Sequence, residues 1–462
     1  MGQLVHFGTV LRAAVWGCFI QNTFLQKIFT LVPNYNTLLM LKKTPILPFI
    51  LTTSLFALWG FANDITNPLV KAFGTIFNQS QTISTFVQVA FYGGYCLMAI
   101  PAAIFIKKYT YKKGLLVGLA LYGLGCLAFI PAAQFGVFQT FLVAYFIMTC
   151  GLSFLETSAN PYILAMGEEE TATQRLNLAQ AFNPIGSITG AFIATNFILG
   201  KMNKMGTKER GELSQADFDV IKMADLEIVK GPYVIIGLVL VIMFILFLLY
   251  KMPEYKEVDD SKGLDIKGTF GRLLKNARYK EGVIAQAFYV GAQIAMWTFI
   301  VQYGTEVYME QGMMEADAAE KASGMQVYAL ILFAVSRFVF TFLMKFMSPG
   351  FLLMLLAFLA ILFLMPVMFI GGELGMYSIM AVSGCMSLMF PTIYGIALRG
   401  VGDDAKLGAA GLVAAIGGGA LLPLIQASII DNGSVSMSFV VPLVCFIIIV
   451  IYGRRAYTTH AA

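Results

Sequence analysis

The chain has 462 residues, 58% hydrophobic and 12% charged, with 39 Phe and 25 Met. Soluble domains carry about 25% charged and about 45–50% apolar residues, so this composition excludes a water-soluble globule and assigns the chain to lipid. A net charge of +5 is too mild to argue for nucleic acid, which is not expected as a partner; six scattered cysteines with no CxxC, and only His6 and His460, leave no basis for a disulfide framework, a metal site or a His-based triad.

In chain order, residues 1–39 come first, semi-apolar with Arg12 and Lys27 as their only charges. Met40, followed by Lys42 and Lys43, reads as a natural start, so 1–39 is expected to be an extension from an upstream start codon rather than an extra amphipathic segment. Stretches free of Asp, Glu, Lys and Arg then cover 44–63, 72–106, 114–155, 176–200, 231–250, 282–305, 346–372, 374–398, 407–430 and 432–453. Several exceed the roughly 20 residues that a helix needs to cross hydrocarbon. Cut at Gly/Pro/Asn/Gln clusters and at charges, they predict twelve helices: 46–76, 84–107, 113–132, 138–167, 175–199, 231–251, 280–304, 323–347, 350–369, 374–399, 406–429 and 434–453. The period-2 alternation of a membrane β-barrel is missing, so the fold class is an all-α membrane protein.

Six spans fall within 40–251 and six within 280–462, separated by the Lys- and Asp-rich segment 252–279. Two six-helix bundles joined by a cytoplasmic linker suggest a duplicated transporter architecture, although the symmetry lies in hydropathy and not in residue-level repeats. With the first span starting in the cytoplasm, twenty Lys and Arg fall in inside segments and eight outside. Six of those eight lie in 201–230, balanced by six acids. The positive-inside rule therefore places both termini in the cytoplasm.

Two acids lie deep within apolar spans, Asp64 in span 1 and Glu156 in span 4. An ionised carboxylate at mid-bilayer costs roughly 2.5–3.5 kcal/mol even on a lenient scale and marks a functional site by default. Burial favours the protonated form, which suits a group that binds and releases a proton near neutral pH. The competing role for each is a hydrogen-bond hub between helices. Asn63 and Asn67 stand at i,i+4, as do Glu156 and Asn160, so each pair shares a face. Pro68 and Pro161 follow and free backbone carbonyls one turn back.

Span 5 adds Gln180 and Asn183, and span 7 adds Gln286, Tyr289, Gln293 and Trp297. Carboxamides pair with hydroxyls while a flat ring covers the apolar C–H face of a sugar, so these residues suit a neutral polyhydroxylated ligand. Any single amide serves equally well as helix–helix glue, worth about 0.6 kcal/mol; four spans with clustered amides and two acids favour a binding cavity. Arg337, the one basic residue well inside a span, reads as structural or gating. Glu168-Glu169-Glu170 and the acids at 306–320 read as solvated loop faces. Gly417-Gly418-Gly419 lacks the strand and Lys-Ser/Thr of a phosphate loop and reads as close helix packing.

With these residues in hand, the chain resembles the fucose–proton symporter family of the major facilitator superfamily, which includes bacterial glucose/galactose and N-acetylglucosamine permeases. The matching segments are Leu-Trp-Gly-Phe-Ala-Asn at 58–63, Leu155-Glu156-Thr157-Ser158-Ala159-Asn160-Pro161, Arg-Leu-Asn-Leu-Ala-Gln at 175–180, Tyr289-Val-Gly-Ala-Gln293, Pro391-Thr392-Ile393 and Ile-Gly-Gly-Gly at 416–419. The resemblance covers most of 44–453 and implies the major facilitator fold in a bacterial cytoplasmic membrane, with a carboxylate pair shared by spans 1 and 4. Glu156 matches the second; where the family carries aspartate in span 1, this sequence has Asn67, and Asp64 lies three residues earlier.

The expected function is proton-coupled uptake of a neutral monosaccharide by a monomer, with sugar and protons as ligands and no cofactor. Sodium-coupled or facilitative permeation and a non-transporting sugar sensor remain open alternatives. A membrane enzyme is not expected, for want of a nucleophile–base set, nor is an ATP-driven pump, for want of GxxxxGK[ST].

Overall fold

Among the described residues, twelve helices are long and apolar enough to cross a membrane: α1 (Ile46–Phe77), α2 (Gln81–Ile106), α3 (Tyr111–Phe135), α4 (Phe138–Ile163), α5 (Leu178–Leu199), α6 (Gln215–Leu249), α7 (Ala277–Glu310), α8 (Glu315–Leu343), α9 (Pro349–Phe369), α10 (Gly372–Leu398), α11 (Leu407–Asn432) and α12 (Val435–Thr458). The computed structural model describes residues 44–167, 172–253, 266–344, 346–399, 401 and 404–458. The extension 1–39, the triplet Glu168-Glu169-Glu170 and the middle of the expected linker lie outside the described residues.

The helices fall near the charge-free runs, and five starts differ from the expected ones by three residues or more, those of α2, α5, α6, α7 and α8. The largest difference is at α6, which begins at Gln215 and not at 231. Its first four turns carry acids and bases at helical spacing, with Lys222 bound to Asp219 at 2.6 Å and Lys230 to Glu227, and the Ser214 hydroxyl caps the start by accepting from the Asp217 N–H. A criterion that stops at the last charge misses a helix that continues into water. Likewise α8 starts at Glu315, whose charge favours a helix N-terminus, and α7 begins at Ala277 behind the Asn276 cap.

Helix pairing repeats between the halves with an offset of six. The pairs α1–α5, α2–α4, α3–α4 and α3–α6 recur as α7–α11, α8–α10, α9–α10 and α9–α12. Glycines make the tightest crossings possible. A Cβ at Gly60 of α1 would lie 2.1 Å from the Asn183 carbonyl of α5, and one at Gly186 would lie 1.8 Å from the Ala57 carbonyl of α1. Gly186 and Gly190 have the GxxxG spacing that lets backbones approach. The corresponding α7–α11 crossing uses Gly418, whose Cβ would meet the Ala287 carbonyl at 2.0 Å. Its neighbours Gly417 and Gly419 face Cys96 and Tyr92 of α2.

The halves meet along α2–α11, α5–α8 and α1–α7. Outward-facing Ile235, Leu238, Ile242 and Leu249 on α6 are more than half exposed, a surface suited to acyl chains and not to water. On the face where α1 ends, polar contacts bridge the halves. Lys71 donates to Glu315 at 2.7 Å, Lys204 to Asp317 at 2.8 Å and to Glu320 at 3.0 Å, and the Gln81 and Thr82 N–H groups to Asp431, each at 2.7 Å. On the opposite face, Arg272–Asp404 and Arg455–Glu281 stay within the C-terminal half and the helix Ile266–Lys275 that leads into it.

Candidate functional site

A cavity of about 200 Å3 lies between the halves, walled by α1, α2, α4 and α5 on one side and by α7, α8, α10 and α11 on the other. That volume is far above the roughly 10–15 Å3 that admits one water. Asn63, Asp64, Glu156, Gln180, Asn183, Gln293, Trp297 and Arg337 all line it. These residues come from five helices and up to 274 positions of sequence separation, Asn63 to Arg337, so only the fold brings them together.

The two acids differ in how they are held. Asp64 is 2% exposed, and its Oδ1 accepts from Asn67 Nδ2 at 3.0 Å. Glu156 is 7% exposed, and its Oε2 is buried without a hydrogen-bond partner. A buried carboxyl oxygen lacking a donor is costly and leaves the group dependent on a proton, water or ligand in the chamber.

Three expected site residues stand behind the wall. Asn67 is 1% exposed and uses both ends of its amide on protein groups, Asp64 on one side and Gln88 on the other. Asn160 shares a face with Glu156, but its Nδ2 donates to the Glu156 backbone carbonyl at 3.1 Å and its Oδ1 accepts from Gln180 Nε2 at 3.1 Å. Tyr289 is fully buried and donates to the Met386 carbonyl at 2.9 Å.

Gln180 and Asn183 flank the break in α5 between helix Ala172–Gln180 and helix Asn183–Ile193, where Pro184 opens the second segment. Asn183 Nδ2 reaches the Phe56 carbonyl of α1 at 3.3 Å. On α7, Trp297 packs edge-on to Phe333 of α8, with ring centres 5.0 Å apart, and donates to Ser383 Oγ of α10 at 2.8 Å.

Arg337 has its place through α10. Pro391 has no N–H to give to the carbonyl four residues back, and that carbonyl belongs to Ser387. Arg337 Nε supplies the missing donor at 3.0 Å, while its guanidinium lies over the Phe333 ring at 5.0 Å. Tyr289, Trp297 and Arg337 therefore all grip the stretch of α10 around its break between Met386 and Met389.

Residues missed in the sequence include the aromatic Trp59, Tyr92, Tyr95, Phe333 and Phe390 and the hydroxyl-bearing Ser187 of α5, all of which line the cavity. Tyr92 and Tyr95 stack with centres 6.4 Å apart and planes 23° apart. Trp59 stands one turn before Asn63, and that spacing was the available signal; the tyrosines sit in a span without charges, where nothing in the sequence sets one apolar face above another. No group of three His, Cys, Asp or Glu able to hold a metal occurs among the described residues. Carboxyls, amides, one guanidinium and flat rings around a chamber large enough for water can bind a proton and a hydroxyl-rich ligand together.

Residues 49–420 match the model of the Major Facilitator Superfamily. The chain belongs to the major facilitator superfamily. Within it, the resemblance to the fucose–proton symporter family holds across the chain. A Haemophilus influenzae protein named L-fucose-proton symporter is 49% identical over 429 residues, covering 90% of this chain and 98% of that one. A Brucella abortus glucose/galactose transporter is 32% identical and covers 87% of this chain and 92% of its own length. The crystal structure of the major facilitator transporter FucP in the outward conformation matches with a TM-score of 0.68 at 32% identity, covering 88% of this chain and 98% of that one.

Proposed function

We propose that this superfamily member takes up a neutral monosaccharide, fucose or a related hexose, together with protons across a bacterial cytoplasmic membrane by alternating access. The observation that carries this is Glu156: a buried carboxyl with an unpartnered oxygen, on the wall of a chamber between two six-helix halves. The names of the relatives, which are transporters and not enzymes, support the same reading.

Glu156 binds the proton, with Asp64 as a second acid one helix away. Asn63, Gln180, Asn183 and Gln293 pair with sugar hydroxyls, and Trp297 covers the C–H face. Asn67, Asn160 and Tyr289 set the wall from behind, and Arg337 acts as a gating residue through α10. Protonation removes the cost of enclosing a charge, so the loaded halves, 40–251 and 280–462, rock about the site, tethered by 252–279. The basic segments favour both termini in the cytoplasm; on that orientation the face clasped by Lys71–Glu315 is external. The unit is a single chain, with the bilayer and small solutes as its partners.

The test is uptake into proteoliposomes of labelled fucose, galactose, glucose and N-acetylglucosamine, with and without an inward proton gradient. One sugar is expected to accumulate only with the gradient, and Glu156→Gln is expected to abolish accumulation while leaving exchange of that sugar across the membrane. Accumulation that follows Na+ at fixed pH, or that survives Glu156→Gln, overturns proton coupling at this residue.

A further inference from the structure

We infer that Gln326 is a sugar-binding residue of an entry subsite, set in the closed seam between α5 and α8 and offered to the ligand's hydroxyls when that seam opens. The inference rests on the sugar-transport reading above and adds to it a contact off the chamber wall.

Among the described residues, two buried glutamines have neither end of the amide bonded to a protein group, Gln286 and Gln326. Gln286 lies four residues after Gly282 and three before Tyr289, both packed against α10 of the same half. Gln326 belongs to the seam. On α8, Glu315, Ala319, Gln326, Leu330, Phe333 and Arg337 follow at steps of four, seven, four, three and four residues, the spacing of one helix face. At one end of that stripe, Glu315 binds Lys71 and Thr207 and, with Ala319, walls a cavity of about 20 Å3 against Lys71 and Leu199 of the other half. At the other end, Leu330, Phe333 and Arg337 line the chamber. Gln326 stands between, about 6 Å along the axis from Leu330 and about 10 Å from Ala319, and is 0% exposed.

The opposing wall is α5. Ser323, one turn before Gln326, meets Thr195 of α5 with hydroxyl oxygens 2.6 Å apart. Going back along α5 from Thr195 in steps of four come Ala191, fully buried, and Ser187, on the chamber wall. A track of small side chains thus joins the Ser323 contact to the chamber, beside the stretch of α8 that carries Gln326.

An unpaired amide in that place is a cost to the closed form that a leucine would not carry. Its partners come from solution, and they reach it when the α5–α8 seam parts. The amide offers a donor and an acceptor side by side, and a sugar hydroxyl is both, so adjacent hydroxyls of one ring satisfy both ends. A sugar moving from the clasped face to the chamber meets Gln326 before Gln180, Asn183 and Gln293. When the seam closes behind it, those chamber amides take over the hydroxyls.

The experiment titrates the purified full chain with fucose, galactose, glucose and N-acetylglucosamine, read by the fluorescence of Trp59 and Trp297 on the chamber wall. The titration is repeated with each monodeoxy analogue of the sugar that binds. In the parent, the analogue lacking the hydroxyl that meets Gln326 is expected to bind about ten-fold more weakly than the sugar, the size of one hydrogen bond. Gln326→Met, unbranched and close in length, is expected to bind the sugar about ten-fold more weakly than the parent does, and to bind that analogue and the sugar alike. A change in how often the seam opens weakens every analogue by one factor, whereas a lost contact spares the analogue that lacks the hydroxyl. The variant is also expected to melt no lower than the parent, because the amide it removes is unpaired in the closed form. A second measurement follows alkylation of Gln326→Cys by a membrane-impermeant maleimide in a background without other cysteines, which saturating sugar is expected to slow. Uniform weakening of all analogues, unchanged affinities, or an alkylation rate indifferent to sugar overturns the subsite. A parent that binds none of the four sugars removes the sugar reading and this subsite with it; a parent that binds one, beside a Gln326→Met variant with the same ranking of analogues, removes the subsite alone.

Discussion

Lys71 and Glu315 meet at 2.7 Å across the seam between the halves, with side chains 9% and 16% exposed. The Thr207 N–H and hydroxyl bind the same carboxylate at 2.8 and 3.0 Å, so Glu315 ties α1 and the loop before α6 to α8. Replacing Glu315 by Gln removes the charge and weakens the clasp by about 1 kcal/mol, roughly a five-fold shift in population. A cysteine at the buried Ala319 is expected to react about five times faster with a membrane-impermeant maleimide in that background. An unchanged rate would show that the clasp does not hold this face shut.

The α1–α5 crossing predicts a sharp contrast between two glycines. Gly186→Ala places a methyl within 1.8 Å of the Ala57 carbonyl, whereas Gly93→Ala meets nothing within 4 Å. Overpacking costs about 1–3 kcal/mol, so the first variant is expected to lower the melting temperature in detergent and the second to leave it unchanged.

Arg210 and Asp225 form a pair at 2.6 Å with side chains 0% and 1% exposed, and Arg210 also donates to the Asn203 and Met205 carbonyls. Removing one partner of such a pair strands the other charge, at about 3–5 kcal/mol. Asp225→Ala is expected to lower stability by that amount in denaturant titration and to free the loop 201–214 for proteolysis. A loss below about 1 kcal/mol would mean that the pair is solvated.

Residues show why part of this was legible in sequence and part was not. Crossing oil demands about 20 residues without charge, and that local demand locates α2, α4, α9 and α12 within a few residues. Glu156 and Asp64 announce themselves because an acid in such a run is costly. The position of Asn67 is different. Spacing puts it on one face with Asn63, yet whether that face meets the chamber or the α2 and α7 side chains depends on how α1 crosses them, a fact that no single helix carries. The same holds for Tyr92 and Tyr95, and for Arg337, whose partner Ser387 becomes available only through Pro391.

Asp404 supplies a pH dependence away from the membrane. Arg272 binds both of its oxygens, at 2.6 and 2.7 Å, and Thr269 adds a bond at 3.1 Å. The Arg272 hydrogen bonds hold the Asp404 carboxyl below the usual carboxylate range. A depressed folded value contributes stability at pH above the ordinary range, and that contribution is lost as pH falls through the depressed value. The hydrogen-exchange protection factor in Ile266–Lys275, taken against the intrinsic exchange rate at each pH, is therefore expected to fall under acid, and Asp404→Asn to lower it already at neutral pH. Equal protection in parent and variant would sever this helix from Asp404.

Gly417, Gly418 and Gly419 give α11 a stretch of bare backbone where it touches α2 of one half and α7 of its own. Interlocked side chains must climb over one another to slide; a smooth strip has no cogs to disengage. Movement at that joint forfeits only weak dispersion contacts, each worth about 0.1–0.2 kcal/mol per atom pair, so α11 is shaped as a bearing, and a single bulky graft there would jam it.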